Sequence, residues 1–266
     1  MVTTVFATKI GMSQAWTTDG KRMPVTKCHV QNNVVVRTQT DAFKRSILEV
    51  GYGTKKLANM KKPLRSTLEK GGFSMGVTGM AGVRLQADTD AASLVGTTLQ
   101  VQDVLSVGDI VKVQGLSKGR GFAGGMKRHG FSGGPKTHGQ SDRARAVGSI
   151  GSGTNPGRVW KGKKMPGHYG IELKTVQNLV VVHIDESTQE VWLNGPVPGF
   201  TTSIVRIEKI GETTKVSLDK AASGIVEATK KVTEKEPAPE SAEEAQTTKE
   251  TQTTEETQTT QETRQE

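Results

Sequence analysis

The chain has 266 residues and a formal net charge of +9, with 33% hydrophobic and 4% aromatic residues. That length allows one or two domains with a real core, but the hydrophobic share is too low for the whole chain to pack uniformly. The lone cysteine, Cys28, excludes an internal disulfide; no apolar run approaches the ~18 residues of a membrane span, and residues 1–10 lack a signal-peptide pattern.

A cytoplasmic protein is expected. The charge is unevenly spread, because residues 227–266 hold eleven Glu against five Lys or Arg. The body is therefore more basic than the total, which points to a nucleic-acid partner.

In chain order, Val2 to Ile10 is a β-prone run, Asp19-Gly20 marks a turn, and Met23 to Val30 follows as a second strand. Val34 to Val36 supplies a third, with β-branched side chains suited to a pleated surface. Arg45 to Val50 is another apolar run. Lys62 to Gly71 fits a short helix, with proline near its start and glycine at its end. Just before it, Asn59 to Lys62 reads either as a second basic contact patch or as a solvated helix entrance. The β pattern resumes from Leu94 to Gly115, where Val107 to Val113 reads as a tight turn feeding a strand.

Thr175 to Ile184 is the most apolar run of the chain, and Glu190 to Leu193 and Ser203 to Ile207 follow between turn signals. Many short strands punctuated by Gly, Pro and Asn predict a mainly β fold, a closed barrel rather than a doubly wound sheet. Residues 227–266 repeat Gln, Thr and Glu with no aromatic residue, a composition that cannot offset ordering entropy; a disordered acidic tail is expected.

Between two of these strands lies Ser117 to Gly170. Its 54 residues hold eleven Lys or Arg against one acid, Asp142, with three of the five histidines and 15 of the 31 glycines. The apolar residues are too few and too irregular for a helix face or strand face. Loops this long are uncommon in compact domains unless they are functional or disordered. So much charge of one sign needs a counter-charge, which a polyanion supplies. An arm that orders against nucleic acid is the expected reading.

Three motifs in the arm suggest chemistry, and each fails on context. Gly119 to Gly124 matches G-x-G-x-x-G, but a dinucleotide site needs a helix opening there, and the glycines that follow predict none. Gly157 to Lys163 begins like a P-loop, yet Lys164 stands where a Ser or Thr would hold magnesium. Gly130-Phe-Ser132-Gly-Gly134 matches a nucleophile elbow without the buried strand before it. The histidines show no metal-ligand spacing. Cys28 and His29 point to opposite faces of a strand and cannot chelate together, which leaves Cys28 as a small core residue.

What remains is charge on a glycine-rich backbone. Lys and Arg neutralise phosphates, and glycine permits close approach and positive φ. Phe122, Phe131, Trp160 and Tyr169 are interleaved with the charge and suit base stacking, with packing against the barrel as the alternative for Trp160 and Tyr169. The balance favours structured RNA over duplex DNA.

Ser117 to Gly124, Lys127-Arg128, Thr137-His-Gly139, Gly148 to Gly151 and Pro156 to Met165 resemble the arm of the universal large-subunit ribosomal protein three family. Lys9 to Ser13, with Asp19-Gly20 and Pro24 to Thr26, resembles that family's opening strands, and the resemblance runs from about Val2 to Ile207. It implies a translation-protein-type barrel over residues 1–226, with an α+β insertion at about 40–95 and an rRNA-penetrating extension over 117–170. It implies a structural, non-enzymatic constituent of the large subunit that binds 23S-type rRNA and supports early assembly. The extension would reach toward the peptidyl transferase centre, and proteins fourteen and nineteen of the same subunit would be neighbours. Legs of about 27 residues span at most roughly 90 Å, so the reach is physically possible.

The residues expected on rRNA are Lys118, Arg120, Lys127, Arg128, His129, Lys136, His138, Arg143, Arg145, Arg158, Trp160, Lys161, Lys163, Lys164 and His168. The expected tip is Gly151, Ser152, Gly153, Thr154 and Asn155, and it lacks the glutamine that many bacterial members methylate. No cofactor, metal, membrane or small-molecule substrate is expected. The alternatives are a nucleotide- or RNA-processing enzyme and a non-ribosomal RNA chaperone.

Overall fold

The computed structural model of the chain describes residues 2–40, 46–85, 93–213 and 216–225. The tail expected from residue 227, and Arg45 of the expected fourth run, lie outside them.

Alternating side chains build the larger sheet. Strand β7 (Asp109–Leu116) buries Asp109, Val111, Val113 and Gly115 and leaves the intervening residues partly accessible, the period of two that a strand with one core face requires. It pairs with β10 (Leu173–Asp185) on one side and β12 (Ile204–Glu212) on the other. Strands β1 (Thr4–Trp16), β2 (Arg22–His29) and β11 (Glu190–Asn194) complete a closed antiparallel barrel in the order β1-β12-β7-β10-β11-β2. Closure leaves no sheet edge unpaired in the ring.

β1 runs well past the expected Ile10. A register shift between Lys9 and Gly11 leaves Ile10 exposed, and pairing to β2 then continues as far as Trp16 opposite Arg22. At that irregularity the Lys9 side chain is buried. Its ammonium donates to the carbonyls of Val197 (2.7 Å) and Gly199 (3.2 Å), which holds the segment before β12 in place. Burial pulls this amine below the usual lysine range.

The chain leaves the barrel after β2 and builds a second sheet in the order β5-β4-β3-β6, from β3 (Asn33–Thr40), β4 (Ser46–Tyr52), β5 (Gly79–Arg84) and β6 (Thr98–Leu99). Helix α1 (Lys62–Lys70) belongs to this region and has the expected bounds, with proline in its first turn and Gly71 after its end. It buries Leu68 against Val36 and Val77. A one-turn helix not anticipated from sequence, α2 (Val101–Val104), precedes β7 and is closed by a reciprocal Gln100–Asp103 capping box.

The two sheets share one apolar cluster, from Val5, Val113, Leu193 and Ile207 on barrel strands to Val35, Leu48, Val50 and Val83. Asn33, fully buried, joins them. Its Oδ1 accepts from the Phe6 N–H (3.1 Å) and its Nδ2 donates to the Phe6 carbonyl (2.9 Å), while the Phe6 and Tyr52 rings stack at 4.7 Å. Cys28 is a buried core thiol, pushed up to about 12 by loss of solvent.

Candidate nucleic-acid interface

The extension grows directly out of the β7–β10 pair. Leu116 faces Leu173 at the barrel rim, and the Ser117 N–H then donates to the Glu172 carbonyl at 2.9 Å. The main chains of Arg120 and Tyr169, and of Tyr169 and Gly121, bond at 2.9 Å each. The ribbon continues as β8 (Phe122–Ala123) against β9 (Gly167–His168), with Phe122 opposite His168. Gly170 makes this crossing possible. Its φ is +86°, and a Cβ there would strike the Lys118 carbonyl and the Gly119 backbone.

The sequence predicts no helix after Gly124, and here the structure differs. Helix α3 (Gly125–His129) forms, stopped by Gly130 in the left-handed region at φ 74°. Its support comes from the returning leg. The Arg128 guanidinium donates to the Met165 carbonyl at 2.8 Å, and His129 Nε2 bonds the same oxygen at 3.0 Å. A five-residue helix behind an antiparallel two-residue strand still does not build a dinucleotide fold, which needs a parallel βαβ unit. The expectation that the arm has no helix or strand of its own is thus corrected for α3, β8 and β9.

The expected contact residues fall into four places. Lys118, Arg120 and His168 lie on the ribbon, and all three are exposed. Lys127, Arg128 and His129 lie on α3, where Lys127 is exposed and the other two are partly spent on Met165. Lys136, His138, Arg143 and Arg145 occupy the loop after α3, all exposed. Arg158, Trp160, Lys161, Lys163 and Lys164 follow the tip, again all exposed. The tip residues Gly151 to Asn155 are exposed, and the Asn155–Pro156 peptide bond is cis.

Two arginines lie over arm aromatics: Arg120 over Tyr169 at 4.9 Å, and Arg158 over Trp160 at 5.3 Å. Trp160 is 61% exposed and Phe122 80% exposed, so neither packs on the barrel. Phe131 instead meets His129 edge-on. Ile150 and Val159, which are not among the expected contacts, are also exposed and lie to either side of the tip.

Among the described residues, the one ion pair within the extension is Arg143 with Asp142 at 3.9 Å, both side chains more than three-quarters exposed. At the base, Glu172 pairs with Lys174 at 2.9 Å. The hydrogen bond from that lysine holds the Glu172 carboxyl below the usual carboxylate range, and the charges of Arg128 and His168 add to the effect. Outward of that point Asp142 is the one acid among eleven Lys or Arg. No group of three or more metal-ligating side chains occurs among the described residues. None of their helices is long and apolar enough to cross a membrane.

Such a surface can hold phosphates through its cations and bases through the exposed rings of Phe122 and Trp160. A family described as Ribosomal protein L3 matches residues 78–208. The chain is 40% identical over 200 residues to large ribosomal subunit protein uL3 of Polaromonas naphthalenivorans, covering 75% of this chain and 88% of that one. It is 42% identical over 220 residues to the uL3 protein of Herpetosiphon aurantiacus, covering 81% of this chain and all of the other. With the uL3 protein of Thioalkalivibrio sulfidiphilus it shares 42% identity over 196 residues, 73% of this chain and 90% of that one. The chain belongs to the ribosomal protein L3 family and is a structural constituent of the large ribosomal subunit, not an enzyme.

Proposed function

We propose that residues 117–170 form an rRNA-binding arm, with the barrel as its seat and the exposed tip placed within folded 23S-type rRNA. The observation that carries this reading is the set of exposed cations on the arm, from Lys118 to Lys164, facing a single acid. Left alone, that charge repels itself; threaded among phosphates, it is neutralised with release of counterions. Arg158, Trp160, Lys161, Lys163 and Lys164 follow the tip and combine charge with a stacking face. The arm does no chemistry in this reading. It supports rRNA folding during early subunit assembly and near the peptidyl transferase centre, with proteins fourteen and nineteen as neighbours of the barrel.

Sedimentation of a cell lysate through a high-salt gradient, with the protein located by mass spectrometry, tests the reading. One copy per large subunit, retained through the salt wash, is expected. Recovery free of large subunits at the top of the gradient would contradict it and favour an exchanging RNA chaperone.

A further inference from the structure

We propose that the cleft between the outer face of the barrel and β5 is a second phosphate-group site, apart from the extension, and that it takes a backbone phosphate of RNA. The choice of RNA as the source rests on the reading of the chain as an rRNA-binding protein; the phosphate chemistry stands on the cleft itself.

Strand register assembles the site. Thr4, Glu208 and Lys112 lie in one row across β1, β12 and β7, and Arg206 and Gln114 lie opposite each other in a neighbouring row. From the second sheet, β5 brings Gly82 and Arg84 to the same cleft. Among the described residues, three cations, Arg84, Lys112 and Arg206, thus line a cleft with one carboxylate. Glu208 is shared: Lys112 Nζ lies 2.8 Å from one oxygen and an Arg206 terminal nitrogen 3.7 Å from the other. Arg84 is exposed and has no carboxylate partner among the described residues. The Arg206 Nε is buried and has no hydrogen-bond partner among the described residues.

These facts point to the same missing group. A buried donor without an acceptor is costly, and so are three cations around one carboxylate. A phosphate group supplies several acceptor oxygens and negative charge, and guanidinium forks match it well. Among the described residues the lining contains no aromatic side chain to stack a base. A sequence-independent backbone contact suits it better than a free nucleotide.

The test uses the full-length protein. Thermal unfolding is followed in sodium phosphate and in sodium chloride at matched ionic strength, for wild type and Arg84→Ala. Phosphate stabilises most proteins by exclusion, and the variant, altered at an exposed side chain, measures that part. In parallel, binding to deproteinised large-subunit rRNA is measured from 50 to 200 mM salt for wild type, Arg84→Ala and the double variant Lys163→Ala/Lys164→Ala. Expected are a phosphate-specific rise in unfolding midpoint that Arg84→Ala loses, and a log–log salt slope lower by about one in that variant.

Loss of the phosphate effect with an unchanged slope would assign the site to free phosphate and overturn RNA as its ligand. Equal phosphate responses in both proteins, with an unchanged slope, would overturn the site altogether. A slope change confined to the double variant leaves the arm reading standing while this one falls. Absence of RNA binding by all three proteins sinks the arm reading, and the phosphate titration then decides the cleft by itself.

Discussion

In the barrel, side chains hold the shape; in the extension, the main chain does. Val5, Val111, Val113, Val181, Leu193 and Ile207 are fully buried on barrel strands, and closure of the ring satisfies their backbone groups. Between Ser117 and Gly170 only Ala123, Gly125 and Gly170 are buried. There the order comes from ribbon hydrogen bonds and from two α3 side chains on one carbonyl, that of Met165. The contrast separates two requirements. A seat must be stable without its partner, so it spends residues on a core; an arm that meets RNA on all sides keeps its side chains outward.

The sharpest way to break this comparison is to truncate one large apolar side chain in each region. Leu193→Ala removes a fully buried side chain from the shared core and should cost about 2–5 kcal/mol in denaturant unfolding. Trp160→Ala removes a larger but exposed side chain and should stay within about 0.5 kcal/mol. A comparable loss in both would mean that the arm contributes to the core after all. Asn33→Ala comes next. It leaves the Phe6 N–H and C=O without their buried partner between the two sheets, at about 1–3 kcal/mol for a stranded polar group.

On the arm the corresponding effect lies in binding rather than in stability. Lys163→Ala/Lys164→Ala touches two exposed cations and should leave the unfolding midpoint unchanged, while lowering the salt slope for rRNA by about two. An unchanged slope would remove these lysines from the phosphate contacts.

Much of this contrast is visible in the residues themselves. The alternation of Val111 and Val113 with Lys112 and Gln114 marks β7, and the proline and glycine near the ends of Lys62–Lys70 mark α1. The one acid among eleven cations marks the arm. Other features escaped for physical reasons. α3 is too short to show a period, and its anchor, the Met165 carbonyl, lies on the returning leg. The sequence signal for α2 was present, since Asp103 stands three residues after Gln100, but one turn is shorter than any periodicity. The cleft of Arg84, Lys112 and Arg206 draws on three strands in two sheets, so only strand register brings its charges together.

The smallest expected effect is a pH response within the barrel. In the barrel, the His183 ring is half-buried and meets the Trp192 ring edge-on at 5.2 Å, while the Lys27 ammonium lies 4.0 Å from the centre of the same indole. Burial lowers the pKa of His183 below its ordinary value; the Lys220 and Lys27 charges push the same way, against Asp185 and Glu190. The unfolded chain therefore takes up this proton at a higher pH than the folded one. The contribution to stability is fully present above the unfolded value, about 6.5, and is lost as pH falls toward the folded value. Unfolding of wild type and His183→Gln at pH 7.5 and pH 5.5 should show a larger acid loss in wild type. Equal acid loss in wild type and His183→Gln would place the pH sensitivity elsewhere in the chain.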